Sequence, residues 1–168
     1  RDFSMSPEDY YAFIDGNSAG PFSTGGAVAA IVAGASQNLV DLMKSFGIEL
    51  GRAFQLVDDL LDLTGDKTMG KPRGTDIHEG KMTLPLIHGL TILHGTERAQ
   101  LEDVLTSFCD ARWAELMYLL ECSGSIDYSR QLIGNHVDRA IEYIEELPDS
   151  GARTMMLEMA ESSRIRTT

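Results

Sequence analysis

One long helix constrains this fold more than any other feature of the chain. Helical signals run from Ser36, a good N-cap residue, to about Thr64, where Gly65 marks the end. Leu50, Phe54, Val57 and Leu61 form an apolar row along one side, and Leu56, Leu60 and Leu63 line another. Positions three and four apart share a helix face, so this helix has core-facing sides on two flanks, and Phe54, Val57 and Leu61 read as core. Gly47 and Gly51 fall inside it, each at ~1 kcal/mol relative to Ala in a helix interior. Close packing of a neighbouring helix explains both.

The other segments repeat the helical pattern. Ser6-Pro-Glu-Asp9 supplies an N-cap, a proline at the first helical position and acids in the first turn, opening a helix to about Asp15. Gly16, Gly20 and Pro21 predict a boundary between Gly16 and Pro21. Phe22 to Ala35 is rich in Gly and Ala and reads as a tightly packed core helix. Thr83-Leu-Pro85 opens a helix to His94, and more are predicted at about Glu97–Phe108, Asp110–Cys122, Ile126–Leu147 and Asp149–Arg164, with Asp149 capping the last. No stretch alternates like a strand. The expectation is an all-α fold, with residues 1–168 forming one helical domain.

Between the two apolar rows of the long helix runs a stripe of Gln55, Asp58, Asp59 and Asp62, at offsets that stack them on one face. Like charges at i,i+4 cost ~0.2–0.5 kcal/mol per pair, and near a helix C-terminus the dipole adds ~0.3–1 kcal/mol against an anion. A cation on the stripe relieves both. Oxygen-only donors select hard divalent cations, Mg²⁺ first when a phosphate shares the site. Next comes Lys67-Thr-Met-Gly-Lys-Pro-Arg-Gly-Thr-Asp-Ile-His-Glu-Gly-Lys81, holding Lys67, Lys71, Arg73 and Lys81 of the chain's 14 Lys and Arg. Gly70, Pro72, Gly74 and Gly80 disfavour helix and let backbone amides approach a ligand, so Lys67–Gly80 reads as an irregular, functional loop. Acidic stripe and basic loop together provide metal ligands and anion ligands from one short stretch.

Phe54-Gln-x-x-Asp-Asp-x-x-Asp62, Gly70-Lys-Pro-x-Gly-x-Asp76 and Glu79-Gly-Lys-x-Thr-Leu-Pro85 resemble the second aspartate-rich region of the trans-isoprenyl diphosphate synthases. The resemblance extends from about Tyr10 to Arg164 and includes Ala33-Gly-Ala-Ser36 and Glu145-Glu-Leu-Pro-Asp-Ser150. It implies the C-terminal half of an isoprenoid-synthase helical bundle. The implied reaction is Mg²⁺-assisted ionisation of an allylic diphosphate, attack by the double bond of isopentenyl diphosphate, and loss of a proton. It assigns Asp58, Asp59 and Asp62 to Mg²⁺, Lys71 and Lys81 to the diphosphate and the departing anion, and Gln55 to the region near the allylic carbon. Asp76 reads either as the partner of a loop lysine or as a loop cap. The acidic stripe and the loop lysines are expected to converge on one cavity.

Two departures from the family pattern stand out. The earlier aspartate-rich motif with its arginine pair, and the Gly-Lys-Arg segment for isopentenyl diphosphate, have no counterpart here. The family's Lys-Thr or Lys-Ser pair, which contacts the allylic diphosphate, is replaced by Asn17-Ser18, and the resemblance assigns both residues to substrate binding; Asn17 can hydrogen-bond a phosphate oxygen but cannot neutralise it. The resemblance therefore implies a half-enzyme whose N-terminal portion is supplied elsewhere, in a homodimer or heteromer, or a non-catalytic subunit of a heteromeric synthase. The chain starts at Arg1 without an initiator Met, which reads most simply as a fragment, a processed form or an incomplete chain.

Charge narrows the function classes. A net charge of −12 argues against nucleic acid and against anionic membrane surfaces. Cys109 and Cys122 match no metal or redox spacing and suggest buried or incidental thiols in a reducing, cytoplasmic setting. His78, His88, His94 and His136 are scattered; His88 and His94 read as helix residues rather than ligands. No apolar run reaches the ~18–20 residues of a transmembrane helix.

Overall fold

Ser6 and Asp9 cap the first helix reciprocally. Ser6 N–H donates to Asp9 Oδ2 at 3.0 Å and Asp9 N–H to Ser6 Oγ at 3.1 Å, a capping box with Asp in the Glu position. A computed structural model describes residues 1–65 and 73–165. Its helices are α1 (Pro7–Ile14), α2 (Gly20–Val32), α3 (Gln37–Thr64), α4 (Thr75–His78), α5 (Leu84–Ile92), α6 (Gly95–Thr106), α7 (Trp113–Cys122), α8 (Ser125–Glu145) and α9 (Gly151–Ile165). There is no β-strand among the described residues, as the periodicity predicts.

Several boundaries differ from expectation for identifiable reasons. No break separates α1 from α2: the chain passes through one π turn, Asp15–Ala19, with Gly20 N–H donating to Asp15 O. A Cβ on Gly20 would lie 2.7 Å from that oxygen, so glycine permits the extra residue in the turn rather than ending the helix. Pro21 falls in the first turn of α2, where proline is tolerated. α2 ends at Val32, short of Ala35, in a Schellman motif. Gly34 takes φ +72°, its N–H bonds Ile31 O, and Ala35 N–H bonds Ala30 O, both at 3.0 Å. α5 stops at Ile92, and His94 is the extended N-cap of α6 rather than a helical residue. The last helix is capped by Ser150, whose Oγ accepts Arg153 N–H at 3.2 Å; Asp149 instead pairs with the Arg153 guanidinium at 3.6 Å. Cys109 and Cys122 are free and exposed, so neither thiol is buried.

Contacts divide the chain into two units, Arg1–Tyr10 with Asp58–Ser129, and Tyr11–Val57 with Arg130–Thr168; α1, α3 and α8 contribute to both. In the first, α5, α6 and α7 pack on one another, burying Leu86, Ile87, Leu101, Leu116 and Leu120 to 1% exposure or less. In the second, α2 lies directly on the N-terminal part of α3. The small residues have the use expected of them: a Cβ on Gly26 would lie 2.7 Å from Met43 O, and one on Gly51 2.5 Å from the Ala19 Cα. Ala27, Ala30 and Val40 are buried alongside. Along α3, Leu50, Leu56, Val57, Leu60 and Leu63 are buried as expected and Leu61 is half-buried, but Phe54 is 44% exposed and is not core. Its ring instead meets Phe22 of α2 at a centroid distance of 5.6 Å.

Candidate active site

The acidic stripe lies toward the C-terminal end of α3, and its three carboxylates have different surroundings. Asp58 is exposed. Asp59 is buried, and its Oδ2 accepts the hydroxyl of the equally buried Tyr10 at 2.7 Å. Asp62 is half-buried. Its Oδ1 accepts Thr75 N–H at 2.9 Å, its Oδ2 accepts Asp76 N–H at 3.1 Å, and its backbone oxygen takes Gly74 N–H at 2.8 Å. Asp62 thus caps α4 from the preceding helix and returns the chain to α3. Burial pushes the Asp62 carboxyl above the ordinary carboxylate range, and Asp76 and Asp58 add like-charge repulsion, while the two N–H groups oppose the shift.

Losing this cap should cost stability locally. Hydrogen bonds to a charged group are worth ~1.5–3 kcal/mol each, and half-exposure reduces that, so Asp62→Ala is expected to cost ~2 kcal/mol. At ~2–4 °C per kcal/mol for a chain of this size, a calorimetric melt should show a fall of ~4–8 °C. An unchanged melt would mean that the cap carries no load.

Gly74 is required where it stands. It takes φ +77°, and a Cβ there would lie 2.5 Å from the Trp113 ring, so the close approach it permits is to an indole. Arg73 lies over the same ring at 4.7 Å. Because α4 is helical, the irregular stretch expected over Lys67–Gly80 contains one helical turn. Lys71, with residues 66–72 as a whole, lies outside the described residues.

Lys81 is described and occupied. Its Nζ donates to Asp76 Oδ1 at 2.7 Å and lies 2.8 Å from Glu79 Oε2. These carboxylates, Asp76 first, hold its ammonium group above the ordinary lysine range. Asp76 is thus both the partner of a loop lysine and, through its N–H, part of the Asp62 cap. Asp62, Asp76 and Lys81 form one connected chain of contacts.

In the second unit, Asn17 and Ser18 both lie in the π turn. Ser18 Oγ donates to Gln55 Oε1 at 2.6 Å, joining two residues 37 positions apart. Asn17 Nδ2 donates back to Phe13 O at 3.1 Å. Tyr10, Asp15 and Arg52 belong to no sequence motif, yet each holds a partner in the fold. Their partnerships span dozens of residues, and no local periodicity marks them.

Among the described residues, no three His, Cys, Asp or Glu side chains converge into a ready-made cation cage. The donors on α3 are all oxygen, and burial first, with like charge from Asp76 and Asp58 added, keeps the Asp62 proton affinity raised. That donor set fits a hard divalent cation completing its shell with water and phosphate oxygens better than one enclosed by protein ligands.

Residues 1–120 match the family model described as polyprenyl synthetase. The chain belongs to the polyprenyl synthetase family. It is 32% identical over 164 residues to the octaprenyl diphosphate synthase of Escherichia coli (strain K12), covering 95% of this chain and 50% of that protein. It is 35% identical over 146 residues to the geranylgeranyl diphosphate synthase of Sulfolobus acidocaldarius, covering 85% of this chain and 44% of that one. Among solved structures, the geranylgeranyl pyrophosphate synthetase of Pyrococcus horikoshii superposes with a TM-score of 0.90 at 29% identity, over 97% of this chain and 50% of that chain. A polyprenyl synthase from Caulobacter crescentus, complexed with calcium and isoprenyl diphosphate, gives 0.88 at 28%, over 99% and 51%. The fold is therefore the all-α isoprenoid-synthase fold of this polyprenyl synthetase family, and the chain spans about half the length of the relatives it matches. No described helix is long and apolar enough to cross a membrane.

Proposed function

We propose that this chain supplies the second metal and diphosphate site of a Mg²⁺-dependent trans-prenyltransferase, which elongates an allylic diphosphate with isopentenyl diphosphate. The observation that carries the reading is the Asp62 cap. It ties the acidic helix to the return of the basic loop, so Asp62 of the stripe and Lys81, joined through Asp76, belong to one connected structure. Relatives named as octaprenyl and geranylgeranyl diphosphate synthases support the substrate class. Asp58, Asp59 and Asp62 would hold Mg²⁺, which when bound neutralises charge on the diphosphate that leaves. Lys81, and Lys71 by its place in the motif, bind that diphosphate and stabilise it as it departs. To do so, Lys81 exchanges Asp76 and Glu79 for phosphate oxygens. Ser18 and Gln55 serve the allylic substrate as a preformed hydrogen-bonded pair, with Asn17 contributing at most a neutral contact. The active species is a homodimer or heteromer that includes the N-terminal half of the fold, in a cytoplasmic setting.

A second reading, a non-catalytic subunit that pairs with a catalytic partner, is favoured by Asn17. Its amide is bonded back to Phe13 O, and no cation stands at this position.

Ligand-induced stabilisation tests the site. At a concentration a hundredfold above Kd, Mg²⁺ with pyrophosphate adds ~2.7 kcal/mol and should raise the melting midpoint by ~5–10 °C. Mg²⁺ alone should do much less, because it keeps most of its water. The Asp58→Ala, Asp62→Ala double variant should show no rise above its own baseline. An equal rise in that variant would reduce the stripe to a solvated face.

A further inference from the structure

A π turn is rare and less favourable than continued α-helix, so something must hold the one that carries Asn17 and Ser18. α3 meets this turn at three residues within about one helical turn. Arg52 engages Asp15, Gly51 lets the Ala19 Cα approach to where its own Cβ would be, and Gln55 receives Ser18 Oγ. The Arg52 contact is a planar fork on both carboxylate oxygens: Nε to Oδ1 at 2.7 Å and Nη2 to Oδ2 at 2.6 Å. Such a fork fixes direction as well as charge, which a lysine cannot do.

Behind the fork stands a buried polar cluster. Glu49 Oε1 lies 3.5 Å from Arg52 Nη1, and Glu49 Oε2 lies 2.6 Å from Nδ1 of the buried His136 and 3.8 Å from Arg139 Nη1. Tyr11 closes it, its hydroxyl 3.0 Å from His136 Nε2 and its ring 5.4 Å from the Arg52 guanidinium. Arg52 is thus met by Tyr11 of α1 and Glu49 of α3, and the α8 residues His136 and Arg139 hold Glu49 in turn.

We propose that Arg52 is a positioning residue for diphosphate-ester binding: clasped to Asp15 and braced by Glu49, which His136 holds from behind, it sets the π turn in the register that delivers Ser18 to Gln55. The proposal rests on the reading of Ser18 and Gln55 as substrate-facing. Because position 17 offers no cation, the turn contributes through hydrogen-bond geometry, and that geometry depends on the clasp.

The test uses the full chain, with hydrogen exchange and calorimetric titration of geranyl diphosphate in Mg²⁺. Arg52→Gln should speed exchange at the Asn17–Gly20 amides at least tenfold, leave Ala27–Ala30 unchanged, and weaken geranyl diphosphate at least tenfold. Arg52→Lys, which keeps the charge but not the fork, should fall between Arg52→Gln and wild type in both measurements. Ile144→Ala, a destabilised control in the buried part of α8, should move neither. Unchanged exchange at Asn17–Gly20 in Arg52→Gln, or equal effects in Ile144→Ala, would overturn the proposal. Failure of the unaltered chain to bind geranyl diphosphate would instead count against the proposed function, and turn exchange alone would then decide whether Arg52 sets the register.

Discussion

Prenyl transfer is expected to be absent from the 168-residue chain alone and to appear when the other half of the family fold is supplied, in cis or from a partner chain. Elongation requires two diphosphate esters held with reacting carbons ~3–3.5 Å apart, and such positioning is worth effective molarities of ~10⁵–10⁸ M. One metal-diphosphate site cannot hold both substrates, so incorporation of labelled isopentenyl diphosphate by the chain alone should stay at least ~10⁵-fold below that of the reconstituted enzyme. Activity in the reconstituted enzyme should require Mg²⁺. Asn17→Lys should then strengthen allylic binding, by nominally ~1.5–3 kcal/mol before desolvation and side-chain ordering are subtracted. Robust turnover by the chain alone, with its mass verified, would refute the half-site reading. A reconstituted complex that stays inactive even with Asn17→Lys would favour the non-catalytic subunit.

Gly47→Ala should be among the most damaging single substitutions in the fold, although Ala is normally the better helix former by ~1 kcal/mol. A Cβ on Gly47 would lie 2.6 Å from Phe22 O and from the Ser23 Cα and N. All three are backbone atoms of α2, so no side chain can rotate aside, and α2 must move off α3. The expected loss is ~2–4 kcal/mol, or ~5–15 °C in the melting midpoint. Gly25 is the control: nothing lies within 4 Å of its would-be Cβ, so Gly25→Ala should be neutral or stabilising. Equal melts for the two variants would show that α2 and α3 do not meet as closely as this.

The helices were legible because their apolar periodicity and caps are local. Ser36 does cap α3, its Oγ taking Leu39 N–H at 3.4 Å, and Gly47 and Gly51 do mark close packing. Misread boundaries share another physical origin. Gly16, Gly20 and Pro21 look like a break because propensity counts only their cost, whereas Gly20 permits a hydrogen bond back to Asp15 O that keeps the helix going. Phe54 looks like core because its spacing matches Leu50, Val57 and Leu61, and spacing cannot tell which edge of an apolar face is covered.

By itself the sequence determined the all-α class, the long α3, the stripe of Asp58, Asp59 and Asp62, and the family likeness. Each depends on residue types at short, regular offsets, which helix geometry turns into faces. Only the tertiary structure decided what those side chains touch. Asp59 meets Tyr10 across 49 positions, Gln55 meets Ser18 across 37, Arg52 meets Asp15 across 37, and Asp62 caps a helix that begins beyond the basic loop. Such pairings are set by how whole helices pack. The same carboxylate in the same local sequence could therefore have been a solvated charge, a buried acceptor or a cap.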